Sequence, residues 1–434
     1  MKQGDDVKKK FRLPFQGLSS ENWFNLLLVA LVTYFIIYSG MPLFQSDWCR
    51  AIDFCGYYSA GRVMNEGKIS DIYNHEVLEK YQSEVLSPFE ISGEETEFIP
   101  MVYLPVFLLP FKFFALFDLP VSLLLWHFLN LIVLALYLFY FSKTVSENKV
   151  SLKILTLLVI SYPVLQNFYY GQVNIWLLIC FAEFLRAIVS DKPYKAGLWL
   201  GGWLLKTQIL ILILPFLFIQ KKYKALLGFI FSSVFLFAVS FILVGWEGMN
   251  GFLSLIFESA EGGAASHFQY MMNWRMLSFY ISYFTSPTVG WIFFGLASIV
   301  TAAVPLTVFR KTADVKSPAF AFGLMGIIAA TTAVAYHAHL HTAVILIPIL
   351  QYLYVKGYIG RKQVLTWILI PYGVDFTIYV IGALIKVNLL PEIMVWAINI
   401  GYGTGMLVAN LVVLGWAVRE GIHLNRKLST ASNT

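Results

Sequence analysis

The sequence predicts an all-α polytopic membrane protein with about 10–12 membrane-spanning helices, two interrupted segments and a helical first extracytoplasmic loop. Of its 434 residues, 58% are hydrophobic and only 13% are charged, and the mean hydropathy is +0.70. Soluble domains are about 45–50% apolar and about 25% charged. An aromatic content of 17% suits the belts of Trp and Tyr found at membrane interfaces.

Ten stretches are apolar enough and long enough to span a bilayer. They lie at residues 23–44, 121–141, 151–168, 173–190, 225–245, 288–309, 318–336, 342–356, 364–385 and 393–418. Two further apolar stretches are interrupted. Three prolines break residues 98–118, and the sequence Lys-Thr-Gln beginning at Lys206 breaks residues 195–219.

The basic loops predict the orientation, because Lys and Arg are enriched in cytoplasmic loops. Seven basic clusters lie at residues 8–12, 143–153, 186–195, 221–224, 310–316, 356–362 and 419–427. All seven can be cytoplasmic only if each interrupted stretch enters and leaves the membrane on one side. Residues 98–118 would then dip in from outside, and residues 195–219 would rise from inside to a peak at Lys206. In the alternative, residues 98–118 form one kinked span and the cluster near Lys143 lies outside.

This arrangement predicts one transmembrane domain, residues 23–418, in the plasma (inner) membrane. A cytoplasmic N-terminal segment, residues 1–22, precedes it, and a cytoplasmic tail, residues 419–434, follows it. The apolar run 23–44 is longer than the core of a signal peptide, which has about 7–15 residues, so we interpret it as an uncleaved anchor.

Two long loops face the outside in this topology, and the active site is expected there. Residues 46–97 form the most polar loop, with short helices expected near 54–66 and 75–86. Residues 246–287 form the second loop, which contains the Gly-rich sequence EGGAASHF.

The net charge of +6 is spread over short loops and gives no reason to propose nucleic-acid binding. The sequence has no Gly-rich nucleotide loop, no HExxH and no GxSxG elbow. We therefore expect no cofactor, and an activated group that is delivered by a lipid. Cys49, Cys55 and Cys180 form no metal motif. A local disulfide between Cys49 and Cys55 is one alternative, and two free thiols are the other.

Asp53 opens the sequence DFCGYYSAG at the outer mouth of the first span. An acid just before a helix can cap the helix N-terminus. The same carboxylate could serve as a general base that deprotonates an acceptor hydroxyl. The residues alone leave both interpretations open.

Polar residues recur at the predicted outer ends of spans and at one point within the membrane. Gln172 and Asn174, in YYGQVN, offer neutral donors and acceptors for sugar hydroxyls or for a simple turn. Lys206 at membrane depth should face a cavity or a partner, such as a lipid phosphate, unless it snorkels or forms an ion pair.

Three alternating histidines, His337, His339 and His341, lie at a span boundary. On a helix only the first and the last share a face, so phosphate or hydroxyl contact is favoured over a metal site.

Four other polar residues are candidates for functional or structural roles. Asn273 and Arg275 lie in the second outer loop, where the guanidinium could pair with a phosphate. Asp375 is either a cavity residue or a paired structural acid, and Glu183 is expected to pair with Arg186 at i+3.

Taken in order, these segments resemble glycosyltransferase family 87, a GT-C membrane family. The resemblance rests on DFCGYYSAGRVMNEGKISDIYN, FIPMVYLPVFLLPF, GQVN, KAGLWLGGWLLKTQ and HAHLHTAVILIP, collinear over residues 20–350 or so. It departs from the family pattern at Ile99, at Gln208 and around Asn273 and Arg275.

The resemblance implies a GT-C-like bundle that moves a sugar, mannose or another hexose or pentose, from a polyprenyl-phosphate donor to a glycan or glycolipid hydroxyl, with inversion and without a metal. Asp53 would be the catalytic base. The leaving phosphate would be held by Lys206, Arg275, His339 and His341. The sugar and acceptor pocket would be formed by Tyr58, Gln172, Asn174 and Asn273.

Two other classes of function are weighed against this one. A transporter or flippase for lipid-linked saccharides would also have broken helices and a lysine at membrane depth. Against it, the sequence has no inverted repeat and concentrates its polar residues on one face. A purely structural membrane subunit is the third class.

Overall fold

A computed structural model of the protein describes residues 19–40, 53–87, 98–145, 151–261, 268, 271–311, 314–391 and 394–431. Within these ranges the chain is helical and has no β-strand beyond an isolated bridge. In chain order the α-helices are α1 (Ser20–Gly40), α2 (Asp53–Asn65), α3 (His75–Leu86), α4 (Pro105–Leu108), α5 (Phe111–Phe114), α6 (Leu119–Val145), α7 (Leu152–Val159), α8 (Tyr162–Tyr169), α9 (Asn174–Val189), α10 (Pro193–Leu200), α11 (Ile213–Ile219), α12 (Tyr223–Glu261), α13 (Trp274–Phe284), α14 (Pro287–Val308), α15 (Pro318–Val334), α16 (Ile347–Val355), α17 (Arg361–Lys386) and α18 (Met394–Ala431).

The prediction of a polytopic helical membrane protein is confirmed. Six described helices are long and apolar enough to cross a membrane, or up to eight if each of two bent helix pairs counts as one span. The six are α1, α6, α12, α14, α17 and α18. This number is lower than the 10–12 expected because several apolar stretches fold as shorter or broken helices. The stretch 151–168, for example, is bent by 44° between α7 and α8.

The centre of the bundle is α15, in which every residue but the first is buried. Its neighbours include α14 and α18. The outer helices expose apolar side chains instead. In α12, for example, only 17% of the most apolar 18-residue stretch is buried. An apolar helix surface of that kind requires lipid around it.

The predicted first outer loop contains the two helices expected there, α2 and α3. Cys49 lies outside the described residues, as does Ser92 near the end of the loop. The Gly-rich part of the second loop, residues 262–267, also lies outside them.

The stretch 98–118 contains only the four-residue helices α4 and α5, and both ends of it lie beside α2. A Cβ on Gly56 would clash with Met101, and one on Gly61 would clash with the carbonyl of Phe111. Those glycines are only about 7.5 Å apart along α2, whereas a crossing needs about 30 Å. The part of the stretch between Met101 and Phe111 therefore stays beside α2 and does not extend over the length of a membrane span.

The stretch 195–219 is also broken. The helix α10 continues as a 3₁₀ segment, Gly201–Leu210, and α11 follows after a bend of 106°. Lys206 itself has non-helical backbone angles, φ −141° and ψ 85°. The sequence placed the peak at Lys206, and the structure places the bend a few residues later, between Leu210 and Ile213.

Two acids within the bundle have structural partners. Glu183 accepts hydrogen bonds from Arg186 at 3.0 and 3.1 Å and from the hydroxyl of Tyr137 at 2.9 Å, so the expected i, i+3 pair is confirmed. Asp375 accepts from the hydroxyls of Tyr34 and Tyr162. It is therefore a paired acid that ties α17 to α1 and α8.

Close packing between α10 and α12 fixes the segment that carries Lys206, and it can be tested. A Cβ on Gly197 would overlap the carbonyl oxygen of Ala225 in α12, whereas one on Gly415 in α18 would meet no atom within 4 Å. Gly197→Ala should lower the free energy of unfolding by about 1–3 kcal/mol because of overpacking. Gly415→Ala should leave it unchanged or raise it slightly, since Ala favours helix. Thermal unfolding in detergent compares the two, and equal melting temperatures would contradict this packing.

Candidate active site

Asp53 is the first residue of α2 and is half-buried. The helix behind it is buried over most of its length, since glycine and alanine let it pack closely. The backbone N–H of the next residue, Phe54, donates to the carbonyl of Tyr170 at 3.3 Å. This bond places the carboxylate of Asp53 beside the turn between α8 and α9.

That turn depends on Gly171. Its φ of +63° lies in the left-handed region, where a side chain is disfavoured. A Cβ there would also lie 2.6 Å from the Cβ of Phe54. The carbonyl of Gly171 accepts from the indole N–H of Trp126 at 3.0 Å. Glycine is thus required twice over, by conformation and by close approach.

Gln172 follows this turn and joins two opposite charges. Its Nε2 donates to the carboxylate of Asp53, and its Oε1 accepts from Nζ of Lys206 at 2.9 Å. A carboxylate only accepts and an ammonium only donates, so the amide can satisfy both in this one orientation. Gln172 and Lys206 are 3% and 8% exposed, and the amide separates the ammonium from the carboxylate.

Two buried tyrosines extend this network at the amide oxygen of Gln172. The hydroxyl of Tyr57 lies 3.3 Å from Oε1 of Gln172 and 2.8 Å from the hydroxyl of Tyr103. Burial raises the pKa of both tyrosines, and the nearby Asp53 raises it further. Both hydroxyls therefore stay protonated at neutral pH. Sequence reasoning missed these residues, although Tyr57 follows Asp53 at i+4 on one helix face.

The three histidines do not lie on one helix, so the expectation for a helix, that only His337 and His341 share a face, does not apply. His339 is extended (φ −90°, ψ 166°), and a 3₁₀ helix, Leu340–Leu346, begins after it and contains His341. His339 forms an antiparallel bridge with Met271. In that arrangement the His337 and His339 rings are 4.6 Å apart, and the His339 and His341 rings are 5.5 Å apart. Burial lowers the pKa of His341, and Lys206 lowers it further. Among the described residues no three His, Cys, Asp or Glu side chains are placed to hold a metal ion.

Arg275, in the first turn of α13, is buried among aromatic rings. Its Cζ lies 3.2 Å from the ring centre of Tyr336, 4.6 Å from that of Phe268 and 5.9 Å from that of Trp291. It is 6% exposed, and its Nη1 has no hydrogen-bond partner in the described part of the chain. Burial lowers its pKa to about 10, so it remains a cation at neutral pH.

These groups form one site. The 3₁₀ segment that carries Lys206 contacts the histidine segment, where Nε2 of Gln208 donates to the carbonyl of His337 at 3.3 Å. The ring of His341 lies 6.0 Å from that of Tyr170. The carboxylate and the lysine therefore lie beside the histidine segment, and Arg275 packs on Tyr336, next to the first of these histidines.

Two predicted site residues have other contacts. The hydroxyl of Tyr58 donates to the carbonyl of Phe117 at 2.7 Å. Asn273 caps α13, since its side chain accepts from the N–H of Met276 at 3.1 Å, and it donates to the carbonyl of Ala335 at 2.9 Å.

Asn174 begins α9, beside the turn that carries Gln172. Its side chain is fully buried, and neither amide atom has a hydrogen-bond partner among the described residues.

Comparison with known proteins identifies the family of this chain. The family model of glycosyltransferase family 87 matches residues 102–335, more than half of the chain. The chain belongs to glycosyltransferase family 87. It is therefore a membrane glycosyltransferase. No curated protein and no solved structure matches it.

The family 87 match includes Gln172, Lys206 and Arg275, while Asp53 precedes it and the histidines follow it. In the structure, Gln172 connects the matched region to Asp53, and Gln208 connects it to the histidine segment.

The bridging amide is testable by deletion. Gln172→Leu removes the hydrogen bonds to Asp53 and Lys206, and bonds to charged groups contribute about 1.5–3 kcal/mol. Glycosyl transfer should fall by about 10- to 100-fold. Gln166→Leu is the matched control, because Gln166 is a buried glutamine of α8 that donates to Tyr162 instead. Equal losses of activity in the two variants would show that the bridge has no special role.

Proposed function

We propose that the protein moves a sugar from a polyprenyl-phosphate donor to a hydroxyl of an extracytoplasmic glycan or glycolipid. Asp53 acts as the general base, and the anomeric centre is inverted. The observation that supports this most is the chain from Asp53 through Gln172 to Lys206. In this chain one amide separates a carboxylate that could take the acceptor proton from an ammonium group that could bind a phosphate.

In the proposed reaction the acceptor oxygen forms a bond to the anomeric carbon as its proton passes to the carboxylate of Asp53. The bond between the anomeric carbon and the phosphate oxygen breaks, and polyprenyl phosphate leaves with that electron pair. The acceptor attacks on the face opposite the leaving phosphate, which gives inversion. A positioned base contributes about 10²–10⁴-fold to such a step.

Lys206, Arg275, His339 and His341 are proposed to hold the donor phosphate. Arg275 supports this role, because no described carboxylate pairs with it, and a buried guanidinium is costly unless an anion reaches it. Charge-assisted hydrogen bonds from Lys and Arg to phosphate oxygens would also stabilise the charge that grows on the leaving group.

Gln172 is proposed to position Asp53 in addition to any contact with the sugar. Its amide is already bonded to Asp53 and to Lys206. Asn174 remains a proposed sugar ligand, as its buried amide has no partner in the described residues. The contacts of Tyr58 and Asn273 favour structural roles for these two residues.

The proposed reaction needs no metal and no cofactor. The active site is proposed to face the extracytoplasmic side of the plasma membrane, with both termini in the cytoplasm. This orientation follows from the basic loops.

The donor class is tested by incubating the purified protein with a panel of polyprenyl-phosphate sugars and an acceptor extract. We expect release of polyprenyl phosphate with one sugar of the panel, and no sugar transfer to the acceptor from nucleotide sugars tested in parallel. Transfer from a nucleotide sugar alone would contradict the proposal.

The base is tested by Asp53→Asn. Because Asn caps a helix as well as Asp does, this variant separates the two interpretations of Asp53. Transfer should fall by at least about 10²-fold with an unchanged melting temperature. Asp71→Asn, in the same predicted outer loop, is the control and should keep normal transfer.

Near-normal transfer by Asp53→Asn would make Asp53 a cap. The base would then be sought at Asp71 or Glu261, since Asp375 is bound by two tyrosines.

A further inference from the structure

A groove of about 520 Å³ lies between α17 and α18, on the side of the bundle that carries the histidine segment. It runs along α18 from Met406 to Arg419, which is about 20 Å of helix. Its walls are apolar over most of this length.

The two ends of the groove differ in chemistry. Met272, Leu340 and Met406 line one end, and all three are buried. Lys362 on α17 and Arg419 on α18 line the other end, and both side chains are exposed.

The charged end lies at the membrane surface where α17 begins and the apolar part of α18 ends. Trp367 and Trp416 line the groove near this end, as aromatic residues do at membrane interfaces. Arg419 contacts the neighbouring Glu420 at 2.8 Å. An exposed pair of this kind contributes little, so it does not prevent a stronger anionic partner from binding.

We propose that this groove binds an anionic glycerophospholipid of the surrounding leaflet. The headgroup phosphate lies between Lys362 and Arg419, and the acyl chains lie along the apolar walls towards Leu340. This site is separate from the proposed active site and does not depend on the proposed donor.

The polarity of the groove favours this occupant over the prenyl chain of a sugar donor. A donor with its phosphate at Lys206 and Arg275 would enter from the buried end, so the end of its hydrocarbon chain would lie against two cations. A phospholipid that enters from the membrane surface places its phosphate on the cations and its chains on the apolar walls. Basic pockets between transmembrane helices recognise lipid headgroups in this way.

The charge contribution is tested with delipidated full-length protein in neutral detergent at low ionic strength. Phosphatidylglycerol and phosphatidylcholine with identical acyl chains are titrated, and bound lipid is counted by native mass spectrometry. The parent protein should prefer phosphatidylglycerol. Lys362→Gln with Arg419→Gln should weaken its binding by about 30-fold, since each basic residue near an anionic lipid contributes about fivefold.

The control for charge is the pair Lys224→Gln and Arg310→Gln, which removes one Lys and one Arg at the ends of other helices, in clusters predicted to lie on the same face. This pair should leave lipid binding unchanged.

The apolar part is tested by filling the groove. Gly415 lines the groove, and a Cβ there meets no atom within 4 Å. Gly415→Leu should therefore reduce phosphatidylglycerol binding with both cations intact. Gly295→Leu is the control, because Gly295 lies on α14 and a Cβ there also meets no atom within 4 Å.

Two results would overturn the proposal. One is equal binding of the two lipids by the parent and the charge variant. The other is displacement of bound lipid by a neutral polyprenyl alcohol at equal concentration, which would assign the groove to a prenyl chain. Loss of sugar transfer alone bears on the proposed function and leaves this inference intact.

Discussion

The side-chain amide of Gln172 holds a carboxylate and an ammonium group apart in a place where neither has much water. A direct contact between Asp53 and Lys206 would neutralise both. With the amide between them, each charge is bonded to a neutral group that matches it. In the proposed reaction the carboxylate takes the acceptor proton and the ammonium binds an anion.

Much of the nearby structure is explained by the need to place this amide. Gly171 gives the turn that only glycine adopts easily, and it lets Phe54 approach. Lys206 has non-helical backbone angles within the 3₁₀ segment, and its ammonium group reaches Gln172 from there. Irregular backbone at membrane depth is tolerated only inside the protein or along a wet cavity. The helices are broken where polar groups come together inside the apolar bundle.

The sequence predicts the membrane class well, because composition alone decides between lipid and water as the solvent of the outer surface. It also predicts the helix that begins at Asp53 and the ion pair of Glu183 with Arg186, because both depend on local spacing. Several apolar stretches fold as shorter or broken helices. Hydropathy measures how apolar a stretch is, and it does not show where the backbone bends, as it does between Leu210 and Ile213.

The site was only partly accessible to sequence reasoning. Asp53, Gln172 and Lys206 were each selected, but their mutual contacts depend on three segments far apart in the chain. The arrangement of the histidine segment was missed because the backbone of His339 pairs with Met271, a residue from another element. The aromatic surroundings of Arg275 likewise come from distant rings, such as Trp291. Such pairings are tertiary, and no local pattern encodes them.

In the proposed site the acid and the lipid phosphate lie on opposite sides of Gln172. A cryo-electron microscopy structure with a non-hydrolysable phosphonate analogue of a polyprenyl-phosphate sugar would show where the phosphonate binds. It should lie within hydrogen-bonding distance of Lys206 and Arg275, with the anomeric carbon facing Asp53. A phosphonate bound instead at Lys362 and Arg419 would refute this arrangement.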